Sequence, residues 1–436
     1  MKKTTVKSAT ASAVSALLRC EADGAFVGMA VQAESRLLDE ERDRRLAVAI
    51  AHGAVEKTVR IDYAAGILLS RAVSSLAPHT RAVLRAALYQ LMYMERPAHA
   101  VVNEAVTLGK HQGERALLNA VLRRAASNRE ALFTLPPREK DDVRYLSLAY
   151  SMPRDKVRTF IAEFGIERTE TLLASLEEKP HFCLRVNTIL TTREALIELL
   201  NHQDGVTATP SPLSPDGIRI EGIYNPAQLR GFEDGLFFVQ DEASQLALRA
   251  LAPKPHTRLL DTCAGLGGKT FSAAALMEGK GEIVAADLYE RKLANLSLHA
   301  TSLHLQSICF YCHDACAEYP SNWEKFDFVI TDVPCSGLGV IRRKPDLRHR
   351  PLEDTETLTA LQGKILANGA KMLKIGGRLL YSTCTLRSTE NHQVVNNFLL
   401  KHPSFSLTEE RTLMPDADGC DGFYYAILTK SNDTNR

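Results

Sequence analysis

Asp261-Thr262-Cys263-Ala264-Gly265-Leu266-Gly267-Gly268-Lys269-Thr270 is the stretch whose reading decides the fold. It leaves an apolar run at 258–263 that reads as a buried strand, and it enters a helical pattern. Its glycines let the backbone approach a ligand, and the amino end of the following helix favours negative charge. The segment ends Gly-Lys-Thr as a phosphate-binding loop would, yet the first glycine of that motif would fall at Cys263. It also departs from G-x-G-x-x-G, which makes a dinucleotide the weaker reading. Working outward, two cysteines follow further apolar runs. Cys335 lies in Thr331-Asp332-Val333-Pro334-Cys335-Ser336-Gly337 after the run 326–333, and Cys384 lies in Tyr381-Ser382-Thr383-Cys384-Thr385 after 378–382. Three strand ends in this order predict one crevice at the carboxyl edge of a parallel sheet.

The rhythm around these motifs supports that sheet. From Gln240 onward strand-like runs at 258–263, 282–287, 307–314, 327–333 and 377–382 alternate with helical patterns, which predicts a doubly wound α/β domain over 241–436. Two late runs, 405–408 and 423–429, suit an antiparallel edge. Before this domain, 138–240 reads as a helical linker and a small α+β module, with strands near 182–187, 218–220 and 236–239 and a helix over 192–201. Residues 1–137 read as all helix, with apolar positions recurring at threes and fours in 11–22, 45–55, 62–76, 81–94, 101–108 and 115–126. Pro78 and Pro97 punctuate the series and Pro136-Pro137 closes it.

Composition adds direction. The 436 residues carry a formal charge of +1, but residues 1–150 hold 22 Lys/Arg against 16 Asp/Glu while the remainder is net acidic. A basic front on an acidic body suits a phosphate-backbone partner. The terminus beginning Met1-Lys2-Lys3 lacks the apolar core of a signal peptide or anchor, and no stretch approaches the roughly 18 apolar residues that span a bilayer. Nine cysteines, an odd number scattered through apolar runs, fit a reducing cytoplasm. Nothing requires more than a monomer.

The acids and thiols specify the chemistry. Asp287 ends the second strand, where a carboxylate can bridge two ribose hydroxyls, and Asp314 ends the third, where it can accept from an adenine amino group. Acids ending successive strands beside a glycine-rich loop favour S-adenosylmethionine as the cofactor, held by residues 263–269 (Cys263, Ala264, Gly265, Leu266, Gly267, Gly268 and Lys269) with Asp287, Asp314 and Asp332. A thiol with an ordinary pKa of about 8.5 needs local help to become a nucleophile, which Lys269 and strand-end N–H groups can give. Asp332, three residues before Cys335, places a carboxylate within reach of a bound base. Cys309-Phe310-Tyr311-Cys312-His313 spells a haem-attachment motif, but it falls within a strand whose alternation points the two thiols apart. No metal is expected.

At these residues the chain resembles the RNA cytosine-5 methyltransferases, in particular the bacterial type acting on small-subunit ribosomal RNA. The family's cofactor loop reads roughly Asp-x-Cys-Ala-Ala-Pro-Gly-Gly-Lys-Thr, with Gly265 and Leu266 here replacing Ala-Pro. Its base-binding Asp-Ala-Pro-Cys-Ser-Gly appears as Asp332 to Gly337, and continues through Arg342-Arg343-Lys344-Pro345-Asp346. Ser382-Thr383-Cys384 is followed by Glu390-Asn391. Leu184-Arg185-Val186-Asn187, residues 239–245 and Asp421-Gly422-Phe423-Tyr424-Tyr425-Ala426 match as well. The front is similar to the helical fold of the antitermination factor NusB through residues 81–85, 99–105 and 118–124.

The resemblance implies a NusB-like helical RNA-binding domain, a small RRM-like α+β module and a Rossmann-like methyltransferase domain. It implies that Cys384 attacks C6 of a cytosine, that Asp332 binds the base, and that Cys335 assists release of the product. Lys269 supports this catalytic set. A looped or flipped-out cytosine is required. Arg342 and Arg343, with Arg185 and Asn187 from the small module, are the expected contacts to flanking RNA. The rival expectation is a decayed methyltransferase fold serving as an RNA-binding or assembly factor, motivated by Gly265-Leu266. A cytosine-5 DNA methyltransferase is a more distant rival, because its nucleophile sits in a Pro-Cys motif rather than Thr-Cys.

Overall fold

A computed structural model describes residues 8–223, 225–352 and 354–432; the expectation about the terminus at Met1-Lys2-Lys3 lies outside them. The chain packs into two compact units. Among the described residues, one comprises 8–177 together with 341–350, and the other 178–340 together with 351–432.

The first unit is helical throughout. Its core is built by Ala9–Asp23, Val27–Ser35, Glu41–Glu56, Thr58–Leu69, Pro78–Tyr93, Ala98–Leu108 and Gln112–Ser127, followed by Asp142–Ala149, Arg154–Phe164 and Ile166–Ser175. Apolar residues at helical spacing, such as Val83, Leu84, Ala87, Leu88 and Leu91, line one buried face. Pro78 sits in the first turn of its helix, where its missing N–H costs nothing. The pattern read over 62–76 is interrupted: Ser70 adopts φ +54° and ends the helix there.

Two features depart from the boundaries expected at 137 and 138. Residues 138–177 pack with the first unit, through Arg60 N–H to Ser151 Oγ at 3.3 Å and an ion pair of Lys57 with Glu177. The helix Val27–Ser35, absent from the helices expected from spacing, has no capping side chain at Phe26. Its first N–H is instead bonded by Asp346 Oδ1 at 2.8 Å, from a residue far along the chain.

Residues 341–350 are thus a strap of the first unit. Arg348 is fully buried there, donating to the carbonyls of Tyr150 at 2.9 Å and Leu176 at 3.3 Å and lying 3.3 Å from Glu177. His349 Nε2 meets the Val55 carbonyl at 2.7 Å, and the Arg350 guanidinium stacks 3.8 Å above the ring of Phe26.

The second unit holds two sheets. The small one contains β1 (Phe182–Val186), β2 (Thr207–Pro210), β3 (Gly217–Glu221) and β4 (Phe237–Val239), antiparallel in the order β2-β3-β1-β4. The large one contains β5 (Thr257–Asp261), β6 (Gly281–Asp287), β7 (Ile308–Cys312), β8 (Phe326–Asp332), β9 (Leu373–Thr383), β10 (Phe405–Leu413) and β11 (Phe423–Lys430), in the order β10-β11-β9-β8-β5-β6-β7. Strands β5 to β9 pair in parallel, and β10 and β11 form the antiparallel edge. Apolar residues cover both faces, as a doubly wound sheet requires. Among the described residues no helix is long and apolar enough to cross a membrane, and no group of three His, Cys, Asp or Glu is arranged to hold a metal.

Candidate active site

Because β5, β8 and β9 are parallel neighbours, their carboxyl ends open side by side. The loop after β5 carries Cys263 to Gly267, the turn after β8 carries Cys335, and that after β9 carries Cys384. Register sets the pairing: Asp332 is opposite Ser382, and Ser382 Oγ donates to Asp332 Oδ1 at 2.7 Å. The other carboxylate oxygen of Asp332 meets Lys269 Nζ at 2.8 Å, and that ammonium lies 4.9 Å from the ring of Phe423. Asp332 is one-third exposed, so it faces the crevice while anchored on two sides.

The thiols of Cys335 and Cys384 are 3.3 Å apart. Cys335 is pushed well above the usual thiol range, first by its hydrogen bond with Cys384 and then by burial. It is therefore held as a neutral S–H, in a contact where either sulfur can be the donor. Cys263 behaves differently. Burial pushes it up to about 12, which suits packing and not nucleophilic attack.

Close approach fixes the surrounding loops. Gly339 N donates to the Cys384 carbonyl at 3.0 Å and Gly422 N to the Gly339 carbonyl at 2.9 Å. A Cβ on Gly339 would stand 1.9 Å from the Gly422 oxygen, so only glycine fits. In the loop after β5, Gly267 adopts φ +88° and a Cβ there would meet Leu296 at 2.4 Å.

The donor set fits the adenosyl cofactor. The loop leads into the helix Gly268–Leu276, and Gly265 N is bonded to Asp287 Oδ2 at 3.0 Å. A side chain on Gly265 would meet no atom nearer than 3.8 Å, and Leu266 is 84 % exposed, so that loop face is open. Asp287 closes β6, Asp314 follows β7 in an exposed position, and the buried Tyr319 hydroxyl has no hydrogen-bond partner. With Gly265-Leu266 in place of Ala-Pro, the loop makes the Gly265 N–H hydrogen bond to Asp287 and leads into the helix Gly268–Leu276.

Two expected RNA contacts require correction. Arg185 is 1 % exposed, paired with Asp216 at 2.9 Å, and burial lowers its pKa to about 10. Asn187 is also buried, and its amide donates to the carbonyls of Gly235 at 2.9 Å and Leu303 at 2.8 Å. Both side chains are committed to buried partners inside the unit, Arg185 from β1 and Asn187 from just beyond its end. Arg342 and Arg343 are half-exposed and fall in the strap of the first unit. Cys309 and Cys312 are exposed on β7, the outermost parallel strand.

Sequence reasoning missed Gln362, a fully buried polar residue in the helix Thr355–Lys371, and gave Glu390 and Asn391 no role. Gln362 carries no local signal, because a glutamine in an amphipathic helix reads as surface. The Glu-Asn pair was visible as a motif, but its partners lie on other elements.

Comparisons with known proteins place the chain in a family. Residues 248–429 match the family described as 16S rRNA methyltransferase RsmB/F, residues 7–127 the NusB family, and residues 153–225 the ferredoxin-like domain of RsmF/B-like methyltransferases. The chain is 31 % identical to the probable ribosomal RNA small subunit methyltransferase B of Bacillus subtilis, over 99 % of this chain and 100 % of that one. It is 34 % identical to ribosomal RNA small subunit methyltransferase B of Pseudomonas putida, over 90 % and 91 %. The crystal structure of PH0851 superposes with a TM-score of 0.79 at 26 % identity, covering 96 % of this chain and 98 % of that one. With matches of this identity running nearly end to end, and a helical front, ferredoxin-like module and methyltransferase sheet in the same order, the chain belongs to the ribosomal RNA small subunit methyltransferase B family.

Proposed function

We propose that the protein transfers a methyl group to C5 of a cytosine in small-subunit ribosomal RNA through a covalent cysteine–C6 adduct. The observation that carries this reading is the pair of thiols 3.3 Å apart at the ends of adjacent parallel strands, beside a carboxylate anchored by Lys269. A single thiol would suffice to attack. A second within contact distance answers the need to resolve the adduct.

S-adenosylmethionine, held by the loop 263–269 with Asp287 and Asp314, supplies an electrophilic methyl group when bound. The chain's own residues do the rest. Cys384 Sγ, as the thiolate left when its proton passes to water, adds to C6, and the electron pair of the C5–C6 double bond becomes available at C5. Asp332 holds the base at its N3/N4 edge, where charge develops. Once C5 carries its methyl and gives its proton to water, that C–H electron pair re-forms the C5–C6 double bond, the S–C6 bond breaks with its pair on the Cys384 sulfur, and the neutral Cys335 thiol donates a hydrogen bond to the departing sulfur. A target cytosine must be single-stranded, looped or flipped, since a stacked base cannot enter a strand-end crevice. Arg342 and Arg343 contact flanking phosphates, and the basic helical front adds grip that weakens with salt.

The test uses the Cys335→Ala protein with radiolabelled S-adenosylmethionine and undermodified small-subunit RNA, resolved on a denaturing gel. A labelled protein–RNA species that disappears in the Cys335→Ala/Cys384→Ala double variant is expected. No such species, together with no S-adenosylmethionine binding by calorimetry, would replace this reading with that of an RNA-binding or assembly factor.

A further inference from the structure

We infer that the adjacent residues Glu390 and Asn391 are positioning residues that separately hold the two thiol loops, Glu390 setting resolution of the adduct and Asn391 setting its formation. This rests on the covalent reading above.

Glu390 is fully buried, and its side chain is spent on the turn that carries Cys335. Its Oε2 accepts from Ser336 N at 2.9 Å and from Gln362 Nε2 at 3.1 Å, while Oε1 lies 3.2 Å from Arg387 Nη1. Gln362 Nε2 also donates to the Pro334 carbonyl at 2.9 Å. The peptide groups on both sides of Cys335 are therefore fixed, one by Gln362 and one by Glu390. Arg387 is itself held by Thr355 Oγ1 at 2.6 Å, so the buried charge is paired and satisfied, the condition on which its burial is tolerable.

Asn391 does the same for Cys384. Its Oδ1 accepts from Thr383 Oγ1 at 2.6 Å, and its Nδ2 donates to the Thr385 carbonyl at 3.0 Å, again one contact on each side of the cysteine. Ser336 Oγ and Thr385 Oγ1, 2.7 Å apart, join the two turns directly. One dipeptide, tied in place by Tyr381 Oη on the Glu390 carbonyl at 2.6 Å, thus references both sulfurs to one point in the fold. Separate anchors would let the thiols drift independently. A sulfur that must first attack C6 and then leave beside its neighbour needs that separation held to a fraction of an ångström.

The hydrogen-bond pattern makes isosteric substitutions informative. In Glu390→Gln, one face of the amide must turn a donor toward either Arg387 or Ser336 N–H. In Asn391→Asp, a carboxylate oxygen faces the Thr385 carbonyl. Each variant is assayed under single turnover for methyl transfer, denaturation-resistant adduct and S-adenosylmethionine affinity, with melting recorded alongside. Glu390→Gln is expected to accumulate adduct as Cys335→Ala does, resolution slowing roughly 10- to 100-fold while formation and cofactor affinity stay near wild type. Asn391→Asp is expected to slow formation by a similar factor without accumulation. Gln362→Met keeps the Glu390–Arg387 pair and the Glu390–Ser336 contact but removes the amide donor from both the Pro334 carbonyl and Glu390 Oε2, so it repeats the Glu390 phenotype if Glu390→Gln fails to fold. Wild-type partition in these variants, or an equal loss of formation, resolution and cofactor affinity in all of them, overturns the assignment while leaving the covalent reading intact. If Cys335→Ala itself traps no adduct, the covalent reading falls and this one falls with it.

Discussion

The connection after β8 carries two stretches of opposite character. Up to Val340 it serves the crevice: Cys335 faces Cys384, Ser336 is clamped by Glu390, and Gly339 packs on Gly422. From Ile341 to Arg350 it serves the helical unit, where Asp346 bonds the start of one helix and Arg348 fills a buried nest of carbonyls and Glu177. Both stretches bury polar groups, but for different ends. In the first, buried hydrogen bonds aim sulfur atoms; in the second, they replace caps and close packing. The lesson is that a run of arginines after a catalytic motif is not one functional patch. Arg348 and its neighbours Arg342 and Arg343 differ in burial, and burial decides which of them can meet a phosphate.

Substitutions should separate the two stretches, beginning with the largest effect. Cys384→Ala should lower methyl transfer by more than roughly a thousandfold, measured with radiolabelled cofactor, without moving the melting temperature. Arg348→Ala should do the reverse, costing about 3–5 kcal/mol in denaturant unfolding of the helical unit, because Glu177 and two carbonyls lose a buried partner. If Arg348→Ala left stability unchanged and cut only transfer, the strap would belong with the crevice after all.

A smaller effect concerns pH. Asp261, fully buried at the end of β5, has its carboxyl pushed up to about 6, by burial and against the hydrogen bond from Thr270. Its folded-state value lies above its unfolded value, so the folded chain holds the proton more tightly. The resulting stability is full below about pH 4 and is lost as pH rises through about 6, an increment of roughly 3 kcal/mol. Asp261→Asn should flatten that slope in unfolding curves taken between pH 4 and 7, and an unchanged slope would assign it to other groups. Smallest of all, Asp346→Ala should cost about 1 kcal/mol, the usual worth of a helix cap, with transfer unaffected.

Much of the catalytic unit was legible in the chain itself. The apolar runs 258–263, 282–287 and 326–333 announce β5, β6 and β8, although β5 and β8 end earlier than read, at Asp261 and Asp332, and the loop glycines announce themselves by their spacing. The helical front was legible as a class but not in detail. Val27–Ser35 escaped because its start is bonded by Asp346, a residue no local window contains. Arg185 and Asn187 looked like polar side chains offered to RNA. Alternation along β1 gives no means of knowing that both faces of that strand are covered.

The sequence by itself determined what is periodic or contiguous: the parallel sheet, the glycine-rich loop, and the two thiols at strand ends. Strand pairing and helix amphipathicity are local patterns, and a strand end fixes where its next residue emerges. Tertiary structure alone decided which buried polar groups meet. Ser336 finds Glu390, Thr383 finds Asn391, and Pro334 finds Gln362 only after separate elements pack, because hydrogen bonds between distant residues depend on register and distance in space, which no spacing along the chain encodes.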